Sequence, residues 1–231
     1  MSLGRIASLA LLLLILGCTR VFAQPEFDAV DDHQAWGGAQ LALPLRENLD
    51  LVLLGSLRQG RDFTHLVYEN AGGSLVFGFG KHFTLSPMYQ FIGAQPYSTV
   101  HTLENRISLV ASFRFPLKKL VVSNVQQLEQ RMRRPNNSNR YRNRLQLEWP
   151  IRLGESQFRL FAADEIFYDW TLGSWNRNRL YLGAGKSLSK SLSVDVFVMK
   201  QNSKLSLPRD VIAIGALFRI RLDHNPLHHL P

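Results

Sequence analysis

The sequence predicts an all-β protein, an antiparallel transmembrane β-barrel of ten to twelve strands behind an N-terminal signal peptide. Three observations predict it. Apolar and polar residues alternate with period two in segment after segment, no apolar run after Gly17 is long enough for a membrane-spanning helix, and the N-terminus has the layout of an export signal.

At the N-terminus, Arg5 precedes an apolar run from Ile6 to Gly17, and Val21-Phe22-Ala23 stands before Gln24 as a small-residue cleavage pattern. A spanning helix needs roughly 20 apolar residues, so the shorter run here reads as a cleaved signal peptide, residues 1–23, rather than an anchor. The box Ile15-Leu16-Gly17-Cys18 leaves open the alternative of lipoprotein processing at Cys18. Cys18 is the only cysteine, so cleavage after Ala23 removes disulfides, Cys-based zinc sites and cysteine nucleophiles together. A cysteine-free chain also suits unfolded passage through an oxidising periplasm.

The 27 Lys and Arg outnumber the 18 Asp and Glu, a surplus that suits nucleic acid, anionic lipid or acidic polysaccharide. Export sets nucleic acid aside. The partners expected are outer-membrane lipid, lipopolysaccharide and the barrel-insertion machinery, with localisation in a bacterial outer membrane. The hydrophobic fraction of 45% would describe an ordinary soluble protein equally well, because only alternate residues of a barrel face lipid.

Residues 24–33 read as an N-terminal periplasmic segment, 34–222 as the barrel and 223–231 as a C-terminal tail. Strands start near Gln34, Leu49, Ser74, Phe83, Leu103, Leu120, Arg140, Gln157, Trp175, Leu192 and Asp210. From Asn105 to Phe115, Ile107, Leu109, Ala111, Phe113 and Phe115 oppose Arg106, Ser108, Val110, Ser112 and Arg114. From Arg140 to Ile151, Tyr141, Leu145, Leu147, Trp149 and Ile151 oppose Arg140, Arg142, Arg144, Gln146 and Glu148. Leu192, Val194, Val196 and Val198 oppose Ser193, Asp195, Phe197 and Met199, and Ile212, Ile214, Ala216, Phe218, Ile220 and Leu222 oppose Ala213, Gly215, Leu217, Arg219 and Arg221. One face suits lipid and the other a lumen.

Short connections (Pro44–Asn48, Gly80–His82, Pro116–Lys119, Gly154–Ser156, Ser187–Ser191) alternate with longer ones (Gly60–Gly73, Ala94–Leu103, Met132–Asn139, Asp169–Asn176, Ser203–Arg209), as periplasmic turns alternate with outer loops. The direct reading gives eleven strands, which would leave the N-terminus outside the cell. The preferred repair makes Phe63–Tyr68 a further short strand, for twelve; ten follows if the N-terminal region pairs poorly. Trp36, Tyr97, Trp149, Tyr168, Trp170 and Trp175 near strand ends fit interfacial girdles, although aromatics there equally pack a soluble core.

The charged residues predicted to point inward are Glu104, Arg106, Glu129, Arg131, Arg140, Arg142, Arg144, Glu148, Arg159, Glu165, Arg177 and Arg179. An Arg or Lys facing mid-bilayer hydrocarbon costs about 2–4 kcal/mol, so they belong inside, paired or wetted. The plainer reading is salt-bridged lumen filling; the sharper one is an anion-attracting constriction, since not every Arg has an acidic partner. Arg133 and Arg134, in the basic stretch Arg131–Arg140, are candidates for anionic-lipid contact, against a plain solvated loop.

No catalytic constellation stands out. Gly185-Lys186-Ser187 fails as a phosphate loop because Leu180 stands where Gly is required. His65, His82 and His101 leave a rim-located lipid or lipopolysaccharide hydrolase as one alternative, without triad spacing. A soluble periplasmic barrel binding an apolar ligand is another. His224, His228 and His229 read as an untethered tail rather than a metal site, and no metal or cofactor is expected.

Four motifs in order, Glu129-Gln130-Arg131, Arg140-Tyr141-Arg142-Asn143-Arg144, Glu165-Ile166-Phe167 and Asn178-Arg179-Leu180-Tyr181-Leu182-Gly183, resemble the uncharacterised outer-membrane family called domain of unknown function 2490, over about Leu120 to Gln201. The resemblance implies a barrel of unknown substrate and supplies no catalytic residues. The last strand resembles in part a barrel-insertion signal through Gly215, Phe218 and Ile220. It departs at Ala213, where a polar residue is usual, and in running on to Pro231.

Overall fold

The computed structural model describes residues 31–97, 99–154 and 156–222. The expected signal peptide with its cleavage site and Cys18, most of the 24–33 segment and the 223–231 tail lie outside the described residues. The chain forms eleven strands: β1 (Asp31–Arg46), β2 (Leu49–Gly60), β3 (His65–Phe79), β4 (Phe83–Tyr97), β5 (Val100–Leu117), β6 (Leu120–Arg133), β7 (Ser138–Leu153), β8 (Ser156–Asp169), β9 (Ser174–Ser187), β10 (Leu192–Ser203) and β11 (Asp210–Arg221). They close into one barrel in which each strand is hydrogen-bonded to its sequence neighbours and β1 to β11. Closure removes the sheet edges that would otherwise template aggregation.

The strand number corrects the expected twelve. Phe63 sits in a turn, where Arg61, Asp62 and Phe63 all have positive φ, and His65 to Tyr68 are the opening of a long β3 rather than a strand of their own. Gly72 and Gly73, which read as loop, lie within β3. At Gly72 a Cβ would run into the Tyr89 carbonyl, so this glycine marks close approach of two backbones rather than a turn. With eleven strands an all-antiparallel closure is impossible, and β1 pairs with β11 in parallel, from Asp31 opposite Asp210 to Ala42 opposite Arg221. Odd-stranded barrels are unusual but have a precedent of nineteen strands.

The strands also run further than the alternation suggested. β1 begins at Asp31, and the loops shrink to 61–64, 134–137, 170–173 and 204–209 on one rim, the upper, and to 47–48, 118–119 and 188–191 on the lower, where 80–82 is as expected. The pleat sorts the side chains inside out. Leu109, Leu147, Leu182, Val198 and Ile214 are exposed on the outer face, while Glu104, Arg106, Glu129, Arg140, Glu165, Arg179 and Asp195 are buried inside. Outward aromatics gather near both rims: Tyr168 with Trp170 and Trp175 above, Phe83 between Phe79 and Phe113 below. Trp149 is also outward and exposed. Trp36, expected in such a girdle, instead lies inside the barrel.

Candidate functional site: the lumen

Strand register arranges the lumen in rows. One row runs across neighbouring strands through Phe161, Gly183, Phe197, Gly215, Trp36, Arg58 and Tyr68. Aromatic side chains alternate with glycines, and at Gly183 a Cβ would strike the Phe161 ring, at Gly215 the Phe197 ring. The rings therefore lie over backbone that carries no side chain, the packing known to compensate strand glycines. Tyr181 stands edge-on to Phe197, with centroids 5.7 Å apart, and Trp36 edge-on to Phe197 at 6.5 Å. Together with Ala163, Met199, Val211 and Ala213 they form one apolar cluster, on β1 and β8 to β11, while Ile92 on β4 and Phe167 on β8 are buried outside it.

The charged residues occupy the neighbouring rows. Arg144, Glu165, Arg179 and Gln201 form one. Glu165, with no exposed surface, accepts from Arg142 Nε, from Tyr181 Oη at 3.0 Å and from Arg179 Nη1 at 3.5 Å. Nearer the upper rim, Glu104 accepts from Arg106 and Arg131, and Glu129 pairs with Arg140 at 2.7 Å and Arg106 at 3.7 Å. At the lower mouth a chain of ion pairs runs from Arg114 through Glu148, Arg159 and Asp195 to Arg219.

All twelve residues of the sequence-derived charge band point into the barrel, but they do not form one cluster. Arg140 with Glu129 and Arg106 with Glu104 fill the upper half, Glu165 ties Arg142 to Arg179 midway, and Glu148 and Arg159 belong to the mouth. Arg177 donates to the hydroxyls of Ser203 and Ser206. Arg133 folds back on its own turn, toward the Asn136 carbonyl and Ser138, while Arg134 is exposed in the loop. The three histidines do not meet: His82 is on the lower rim, bonded to the Arg114 carbonyl, whereas His65 and His101 belong to upper strand ends. Among the described residues no group of three or more His, Cys, Asp or Glu could hold a metal ion.

Arg58 and Trp36, neither of which the alternation placed inside, stand in the middle of the lumen. The Arg58 guanidinium lies between the faces of Trp36, 3.9 Å away, and Tyr68, 4.0 Å away. Trp36 is fixed in turn by its Nε1 donating to Gln34, whose amide donates to Asp32. This stack and Arg179 form a septum, because Trp36, Arg58 and Arg179 are common to the walls of two cavities. The upper holds about 270 Å³ and the lower about 630 Å³. Seven arginines (Arg58, Arg114, Arg142, Arg144, Arg159, Arg179, Arg219) line the lower cavity against two carboxylates, Glu148 and Asp195.

The family model described as "Protein of unknown function (DUF2490)" matches residues 33–210. No curated protein matches the chain. Two solved structures are similar in part. One is an anion-selective porin from Comamonas acidovorans, at 17% identity and a TM-score of 0.35, over 74% of this chain and 54% of the porin. The other is the siderophore receptor PirA from Pseudomonas aeruginosa, at 15% identity and a TM-score of 0.31, over 70% of this chain and 33% of the receptor. The chain thus spans about half the length of the porin and a third of the receptor.

Proposed function

Since the chain belongs to the DUF2490 family, which carries no assigned function, its role is read from the barrel itself, and we propose an integral outer-membrane protein whose lumen is a small, mostly occluded, anion-favouring passage. The observation that carries this reading is the inverted distribution of side chains, with an apolar exterior wrapped around a charged interior. A soluble barrel that binds an apolar ligand needs the opposite arrangement. In hydrocarbon a sheet must be closed so that every backbone group is paired, and this one is. The strands of 12 to 18 residues exceed the 9–11 that suffice to cross a bilayer.

The arginine surplus of the lower cavity gives the passage its sign, since rings of Arg favour anions. The septum keeps it narrow. The lower rim, with the shorter turns, would face the periplasm, so Asp31 at the start of β1 would lie on the outer side and not in the periplasm, and the upper rim would place exposed Arg134 among lipopolysaccharide phosphates. Folding through the barrel-insertion machinery follows from the same reading.

The test is reconstitution into planar bilayers under a salt gradient, with heat-modifiable gel migration as the check on folding. A small conductance whose reversal potential favours anions supports the proposal. Silent bilayers with correctly folded protein replace the passage by a plugged, structural barrel. Protein that fractionates as soluble and shows no gel shift removes the membrane reading itself.

A further inference from the structure

The lower cavity is lined by aromatic rings and guanidinium groups side by side. Phe161 and Phe197 lie over strand glycines, and Tyr181 stands edge-on to Phe197. Two of the guanidinium groups have no carboxylate at ion-pair distance. Arg144 donates to the Gln146 side-chain oxygen at 2.8 Å and lies 4.4 Å from the Tyr181 ring centre, with no carboxylate within 4.0 Å among the described residues. Its cross-strand neighbour Glu165 accepts instead from Arg142, Arg179 and Tyr181. Arg58, stacked between Trp36 and Tyr68, makes neither a hydrogen bond nor an ion pair to any described residue.

A stacked guanidinium keeps its N–H edge free for an anion while its faces are shielded from water. Charge-assisted bonds from Arg are strongest to planar oxyanions, which they meet two oxygens at a time. An aromatic wall adds nothing to the binding of a hydrated inorganic ion but favours a flat apolar body. The volume of about 630 Å³ lies within the range of sites for small organic ligands.

We propose that the lower cavity is a binding site for a small organic carboxylate with a planar apolar body, its carboxylate held from the Arg144 and Arg58 side and its body against Phe197 and Phe161. The proposal deepens the anion-favouring reading of the lumen and rests on it for the ligand's route of entry, not for the existence of the site. The septum is the ceiling of the site, so a ligand entering from the lower mouth stops there.

Equilibrium titration of the folded barrel in detergent tests this with benzoate, its cationic counterpart benzamidine, and inorganic phosphate. The expected result is saturable benzoate binding of one molecule per barrel, no saturable benzamidine binding, and weaker phosphate binding. Arg144→Met, which keeps the stem and removes the charge without breaking an ion pair, should weaken benzoate by about tenfold. Arg58→Met is the second charge variant, and Phe197→Leu should weaken benzoate while leaving phosphate unchanged. Heat-modifiable migration certifies each variant as folded.

Absence of saturable benzoate binding in folded wild-type protein overturns the proposal. So does equal binding of benzamidine, or affinity unmoved by both arginine variants. Phosphate binding as tightly as benzoate, with Phe197→Leu without effect, overturns the assignment of an apolar body. The two readings fail separately: benzoate binding with silent bilayers removes the passage and leaves the site, and anion-biased conductance without benzoate binding does the reverse.

Discussion

Arg58 lies 3.9 Å above the ring of Trp36, and both residues line the two cavities of the lumen. A guanidinium over a tryptophan face contributes about 0.5–2 kcal/mol, more when water is excluded. Trp36→Ala removes the ring and the bond that ties it to Gln34. The expected outcome is a several-fold rise in single-channel conductance, or the appearance of conductance if the unmodified barrel is silent, with the heat-modifiable gel shift retained. Conductance indistinguishable from wild type would place the closure elsewhere.

Glu165 is the acid on which the middle of the lumen depends, since Arg142 and Arg179 both pair with it. Breaking a buried pair from one side costs about 3–5 kcal/mol because the remaining charges are left uncompensated. Arg142 keeps 28% of its side chain exposed, so lumen water lowers the expected cost of Glu165→Gln to the bottom of that range. Urea unfolding from lipid vesicles measures it. A loss well under the loss for a typical core truncation would mean that the Arg142–Glu165–Arg179 group is wet rather than structural.

Leu182 tests which side faces hydrocarbon. It is 63% exposed on the outer surface, flanked across the sheet by Val198 and Ala162. Leu182→Arg should destabilise the barrel in vesicles by about 2–4 kcal/mol, the cost of an Arg at the bilayer midplane. Ser112→Arg, on a cavity-lining position, should cost far less. Equal costs at the two positions would argue that the exterior is covered by water or protein.

The parts of this fold that were legible in the sequence are those where one face is apolar without interruption. In β7 the run Arg140, Arg142, Arg144, Gln146 and Glu148 fixes both strand and face, because a one-residue slip would turn every arginine toward the apolar side. β1 and β3 lack that contrast. Ala35, Gly37, Gly38 and Ala39 carry little side chain to mark a face, so Trp36 could be placed on either, and the Asn70-Ala71-Gly72-Gly73 stretch carries the residues of a loop. Arg58 was hidden for another reason: it is a lone cation in β2, and its partners Trp36 and Tyr68 become neighbours only through register with β1 and β3. The charge band was readable as a list, but its division into an upper filling, a middle triad and a mouth chain depends on which rows the shear brings together.

Gly183 links a sequence motif to that row structure. It closes the segment Asn178-Arg179-Leu180-Tyr181-Leu182-Gly183 and pairs with Phe161 on one side and Phe197 on the other. A Cβ here would meet both the Phe161 ring and the Val196 carbonyl. The ring can swing, but the carbonyl belongs to the sheet, so Gly183→Ala should destabilise by about 1–3 kcal/mol, the usual cost of overpacking. Combining it with Phe161→Leu relieves only the contact with the ring, so the double variant should recover part of what the two single changes lose. Full additivity of the two losses, measured by urea unfolding, would show that Phe161 does not rest on Gly183 and would detach the aromatic wall from the glycine row beneath it.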